Sequence, residues 1–189
     1  MTSPELITEL ITYGQKFPQE SATVDRFIGF LTREPQAFLR ETHGHVTASI
    51  WILDPARSEV LLTHHKKFNQ WIQLGGHADG EENVRRVALK EGFEESGISE
   101  ITLLDENIFD IDIHDIESRC AVHYDVRYIA VSNKRDYVVS DESHDLRWVP
   151  LSSVALINSA SKSLARMVEK TASFIHLPSP GFTYEETAS

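Results

Sequence analysis

The chain has 189 residues, 41% of them hydrophobic and 25% charged, enough apolar material for one buried core and too much for wholesale disorder. Its formal net charge of −11 disfavours a nucleic-acid polymer as partner, because backbone phosphates are bound by Lys and Arg that displace counterions, and it lets a phosphate-processing enzyme work only with bound cations. The single cysteine, Cys120, excludes an intramolecular disulfide, and the chain shows neither a basic signal-like N-terminus nor an apolar run of membrane-spanning length, so a cytoplasmic protein with no membrane contact is expected.

Residues 3 to 14 read as a helix with Ser3 as N-cap, Pro4 at the first helical position, Leu6, Ile7, Leu10 and Ile11 as its apolar stripe and Gly14 as its stop. A second helix is expected from Glu20 to Thr32, with Val24, Phe27, Ile28 and Leu31 at helical spacing and Pro35 beyond its end. These make an N-terminal helical extension, residues 1–40. From Gly44 the pattern changes: HVTASIWILD reads as a strand, Pro55 and Ser58 as a turn, and EVLLTHH as the hairpin partner. A polar loop with Lys66, Lys67, Phe68, Trp71 and the pair Gly75-Gly76 leads into the strongest helix signal, residues 82–96. IFDIDIHDI and VHYDVRYIAVS alternate as strands, LRWVPL adds another, and an amphipathic helix follows from Ser161 to Thr171. Residues 41–175 are thus read as one domain, and 176–189 as a mobile tail. Strands and helices without a regular βαβ rhythm imply an α/β fold whose mixed sheet is covered on both faces.

On a helical wheel Val84, Val87 and Ala88 share a side with Glu91, Glu94 and Glu95. Half of that stripe is apolar, and the other half presents three carboxylates at i, i+3 and i+4, an arrangement that needs compensation. A solvated helix end would explain the charges alone, but not the whole segment GHADGEENVRRVALKEGFEESGI, Gly76 to Ile98. Its order is Gly, five residues, Glu82, seven residues, Lys90-Glu91, two residues, Glu94-Glu95, one residue, Gly97 and Ile98, and it resembles the Nudix box at seven of nine specified positions. The departures are Lys90 for Arg, which loses a planar fork, and Gly92 for an apolar residue, which weakens the helix but leaves room for close backbone approach.

The resemblance implies a Nudix-like α/β/α sandwich and a metal-dependent pyrophosphohydrolase acting on a small phosphorylated substrate. That substrate would be a nucleotide sugar, an ADP-ribose-like compound or a nucleoside triphosphate. It implies Mg²⁺ or Mn²⁺ held by Glu91, Glu94 and Glu95 with the Gly75 carbonyl, since hard carboxylate oxygens suit these ions, while Glu82 fills a structural position. The proton acceptor is Glu91 or, on a later loop, Glu142. His77 follows the glycine pair and is a candidate phosphate donor. The polar strand faces Asp110/Asp112/His114 and His123/Asp125/Arg127 come together if their strands pair; they line a substrate pocket, with His123 and Arg127 as binding residues, hold another metal, or merely face solvent. Two other readings are a non-catalytic ligand-sensing module of related fold, which would tolerate loss of the acidic triplet, and an enzyme like isopentenyl diphosphate isomerase, which needs an active-site cysteine. A homodimer is the commonest assembly for such a chain.

Overall fold

The computed structural model describes residues 3–115, 122–157 and 162–176. Cys120, Ser161 and the tail from 177 onward therefore lie outside the described residues. Helix α1 spans Pro4–Lys16, with the Ser3 hydroxyl accepting from the Leu6 amide at 3.5 Å. Gly14 does not stop it. That glycine faces Val24 of the next helix, where a Cβ would make ordinary van der Waals contact at 3.4 Å. The buried line is Leu6, Leu10 and Tyr13, while Ile11 is exposed. A 3₁₀ turn, Pro18–Glu20, leads into α2, Ser21–Arg33, which buries Val24, Phe27, Phe30 and Leu31.

Strand β1, Gly44–Leu53, is the centre of an eight-stranded sheet among the described residues. The turn after it is closed by Asp54, whose carboxylate accepts from the amides of Ser58 and Glu59. Strand β2, Glu59–His65, does not run along β1 as an ordinary hairpin partner: the two meet only at Leu53↔Val60. Instead β1 pairs in parallel with β7, Val122–Ser132, from Gly44↔Val122 to Leu53↔Val131. The stretch expected as a loop holds two short strands, β3, Gln70–Ile72, and β4, Leu74–His77. The second lies antiparallel on the other side of β1. Helix α3 is Val84–Ser96 and is followed by β5, Ile101–Leu103, too short to show a period. Strand β6, Asp110–Asp115, pairs antiparallel with β7, and β8, Ser143–Pro150, pairs with β2. A short helix α4, Val154–Ile157, and α5, Lys162–Thr171, complete the described chain.

Alternation along β1 sorts its side chains between two layers. Val46, Ala48, Ile50 and Ile52 join one buried cluster with α1, α2 and α3 residues, including Leu10, Phe27 and Leu89. Trp51 and Leu53 join another with Leu164, Met167 and Phe174. The sheet is therefore covered on both faces. The N-terminal helices belong to the core: Phe30 stacks on Tyr124 at 3.8 Å between ring centres, and Arg85 of α3 is paired with Glu9 of α1 at 3.0 Å.

Candidate active site

Helix α3 starts at Asn83, whose side chain accepts from the Arg86 amide, and ends at Gly97 in the left-handed conformation, φ 69°. It lies close on the sheet because of Gly92: a Cβ there would come 3.0 Å from Ile50 and 3.3 Å from Ile101. The residue that departs from the box pattern thus sets how near the helix comes to β1.

That seating presses the acidic half of α3 against β4. Glu95 is buried, accepts a hydrogen bond from the Gly75 amide at 2.9 Å through Oε1, and has no partner for Oε2. Burial pushes its pKa up; the Gly75 N–H partly opposes this, the charges of Glu91 and Glu142 add to it, and the value reaches about 8. Glu91 is also raised by burial, with Lys90 opposing and Glu94 and Glu142 reinforcing the shift. Its carboxylate lies over Gly76, where a Cβ would sit 2.5 Å from Oε2. A Cβ on Gly75 would meet Ser49 Oγ at 2.5 Å and the Ala48 carbonyl at 2.6 Å. Close approach therefore bars a side chain at Gly75, against the sheet backbone, whereas at Gly76 it would displace the Glu91 carboxylate.

Glu94 departs from the expected inward stripe. It is exposed and paired with Lys90 at 3.1 Å, an i,i+4 contact along the helix flank. The buried line of α3 runs through Val84, Ala88, Gly92 and Glu95, and the neighbour of Glu95 necessarily turns about 100° away. Lys90 also approaches Glu91, at 3.6 Å, as a single ammonium without the two-pronged grip of Arg. Glu142, exposed in the turn just before β8, is near enough for its charge to raise both Glu91 and Glu95.

The two polar strand faces do come together, with Asp110 opposite Arg127, Asp112 opposite Asp125 and His114 opposite His123. They do not form a solvent-facing surface. Arg127 is 2% exposed, and its guanidinium donates to Asp125 at 2.7 Å, Asp110 at 3.0 Å and Asp112 at 3.1 Å. Asp110 also receives Arg166 and Lys170. Burial alone would raise Asp112, but His114 and Arg127 more than offset it and hold it below the usual carboxylate range. Asp125 further accepts from Thr47 at 2.9 Å and Ser49 at 2.8 Å.

At the open end of the same face His123 meets His77 and His45. Burial lowers all three, His77 to about 4 and His123 to about 3. His45 was not singled out as a site residue from the sequence, nor were Thr47 and Ser49. The signal was present as a period of two, since His45, Thr47 and Ser49 are polar at alternate positions in an otherwise apolar strand. Arg166 and Lys170 gave no comparable signal, because α5 meets Asp110 only through the fold.

A NUDIX domain model matches residues 43–171. Among solved structures, a NUDIX-family hydrolase from Clostridium perfringens superposes with a TM-score of 0.59 at 23% identity, covering 68% of this chain and 96% of that one. The Ap4A hydrolase of C. elegans, in a binary complex, gives 0.58 at 21% identity, covering 69% and 96%. The dihydroneopterin triphosphate pyrophosphohydrolase of E. coli gives 0.55 at 14% identity, covering 70% and 96%. No curated protein is significantly similar in sequence. At these identities the structural likeness concerns the fold.

Proposed function

The chain belongs to the Nudix family, and from that membership we propose that it hydrolyses a diphosphate linkage in a nucleoside diphosphate derivative, with Mg²⁺ or Mn²⁺ as cofactor. The observation that carries the reading is Glu95: a buried carboxylate with one oxygen fixed by the Gly75 amide and the other without a partner, beside two further carboxylates. A site of this kind suits a cation and is otherwise forced to take up a proton. Glu95 and Glu91, with the Gly75 carbonyl, would hold the ion, and Glu94 joins them by leaving Lys90. When bound, such an ion supplies positive charge that draws in diphosphate oxygens and acidifies water.

The chain's own groups then divide the remaining work. Water attacks one phosphorus and the bridging P–O bond breaks, so one proton must leave the water. Our candidates to accept it are Glu91, whose carboxylate lies over Gly76, and Glu142, close enough for its charge to act on Glu91. Arg127, expected on the substrate, has its guanidinium consumed by three aspartates; we assign it to fixing β6 against β7 behind the site. His77 and His123 lie in the buried histidine cluster and not on an open phosphate surface. The sensor reading would allow erosion of the acidic triplet, which is intact.

The test is product formation with Mg²⁺ across nucleotide sugars, dinucleoside polyphosphates and nucleoside triphosphates, with wild type beside Glu95→Gln. At least one compound is expected to be turned over, with kcat reduced on the order of 10²–10³-fold in the variant. Equal rates for the two proteins on every compound, or no turnover of any, would overturn the proposal.

A further inference from the structure

We propose that His45, His77 and His123 form a second, chemically distinct metal site that binds one divalent transition ion of the zinc type. Their ligand-capable nitrogens all lie within 4.8 Å of one another, and among the described residues no other three metal-ligating side chains come so close. Ring centres are separated by 4.9 Å for His45–His77 and for His45–His123, and by 5.2 Å for His77–His123. Tetrahedral coordination with Zn–N bonds of about 2.0–2.1 Å places nitrogens roughly 3.3 Å apart. To bind one ion the nitrogens must draw together by up to about 1.5 Å.

The backbone determines the convergence. His45 and His123 are direct partners in the parallel β1–β7 ladder, and His77 is paired with Thr47, the next residue of β1 on the same face. Three adjacent strands thus each present one imidazole to one point. A chance surface cluster would be exposed and hydrated; here His45 is fully buried and His123 is 9% exposed.

The hydrogen-bond inventory points the same way. Nε2 of His77 and Nε2 of His123 are buried without a partner. Neither ring nitrogen of His45 makes a well-formed hydrogen bond, although the Thr42 backbone is near enough to favour its protonated form. Buried polar atoms left so destabilise the fold, and a shared ion satisfies them together. An anion site would need imidazolium, and burial disfavours the charged form of all three rings. Neutral imidazole is the ligand form, and it suits Zn²⁺, Co²⁺, Ni²⁺ and Cu²⁺ where carboxylate and carbonyl oxygens suit Mg²⁺ and Mn²⁺. His114 stands next in line, 5.4 Å from His123 between ring centres and 3.4 Å from Asp112. Three protein ligands leave the fourth position of a tetrahedral ion open to water or a further donor.

The inference stands without the hydrolytic reading, and its test separates the two. Untagged full-length protein, stripped of metal, is titrated with Zn²⁺ against a chromophoric chelator in millimolar Mg²⁺, and retained zinc is measured by elemental analysis. About one equivalent per chain is expected, with a visible d–d absorption band when Co²⁺ replaces it. His77→Gln and His123→Asn should each lower Zn²⁺ affinity on the order of 100-fold or more and abolish the cobalt band. Glu95→Gln should leave both unchanged while lowering kcat for hydrolysis on the order of 10²–10³-fold. Circular dichroism establishes that each variant is folded, and His77, the half-buried member, supplies the variant least demanding of the core. Substoichiometric zinc in the wild type, or retention of full affinity by folded His77→Gln and His123→Asn, would overturn the proposal whatever the hydrolysis assay shows.

Discussion

Glu95 makes the folded chain sensitive to pH in a direction opposite to carboxylates held by cations, such as Asp112. Its folded-state pKa, about 8, lies above the ordinary value of 4.5, so the folded state prefers the proton. The stabilising contribution is complete below pH 4.5 and is lost as pH rises through 8. A divalent cation replaces that proton, and its stabilising effect should grow over the same interval. The difference in Tm between wild type and Glu95→Gln, without metal, is predicted to move against the wild type from pH 5 to pH 8, and Mg²⁺ should raise the wild-type Tm more at pH 8 than at pH 5. A pH-independent difference would show that Glu95 is not a proton-retaining group. Gly76 offers a second test at this scale. Gly76→Ala sets a methyl against the Glu91 carboxylate, which shifts because it is the end of a flexible side chain. Kinetics should show kcat falling on the order of 10–100-fold while Tm changes little; an unaltered kcat would mean that the position of Glu91 does not matter.

The helices and strands differ in how far local pattern decides them. α1, α2 and α3 each carry an apolar face and at least one end signal, and the caps at Ser3, Asn83 and Gly97 appear where side-chain chemistry predicts. Residue pattern likewise placed β1 and β2, and alternation placed β6 and β7, but neither says anything about partners. The parallel alignment of Gly44–Leu53 with Val122–Ser132 joins residues some eighty positions apart, and its energy resides in tertiary packing that no window of sequence contains. β3, β4 and β5 were invisible for a different reason, being three or four residues long. The acidic helix was legible because the box compresses its chemistry into 23 consecutive residues. The outward turn of Glu94 was not, since it depends on which helix line the sheet selects. The N-terminal helices matter at this scale too. Leu6, Leu10, Phe27 and Phe30 share one buried cluster with Leu89 and Val126, so deletion of residues 1–40 should lower Tm by about 10 °C or more, or leave the chain insoluble. A truncated chain of wild-type Tm would refute their role as cover for α3.

Across the whole molecule, the sheet separates two kinds of chemistry. One face carries α3 and brings carboxylates to the Gly75-Gly76 pair; the other carries the buried ion network of Asp110, Asp112, Asp125 and Arg127 and, beyond it, the histidines. A net charge of −11 would repel phosphate over most of the surface, so the account requires that cations reverse the local field where α3 meets β4. No helix among the described residues is long and apolar enough to cross a membrane. The most direct measurement is a crystal grown in Mn²⁺, with anomalous scattering used to locate the ion. The account predicts a peak bounded by Glu91, Glu95 and the Gly75 carbonyl, with Glu94 swung off Lys90 to meet it. Ordered carboxylates with no anomalous peak among them, and Glu94 still on Lys90, would contradict it.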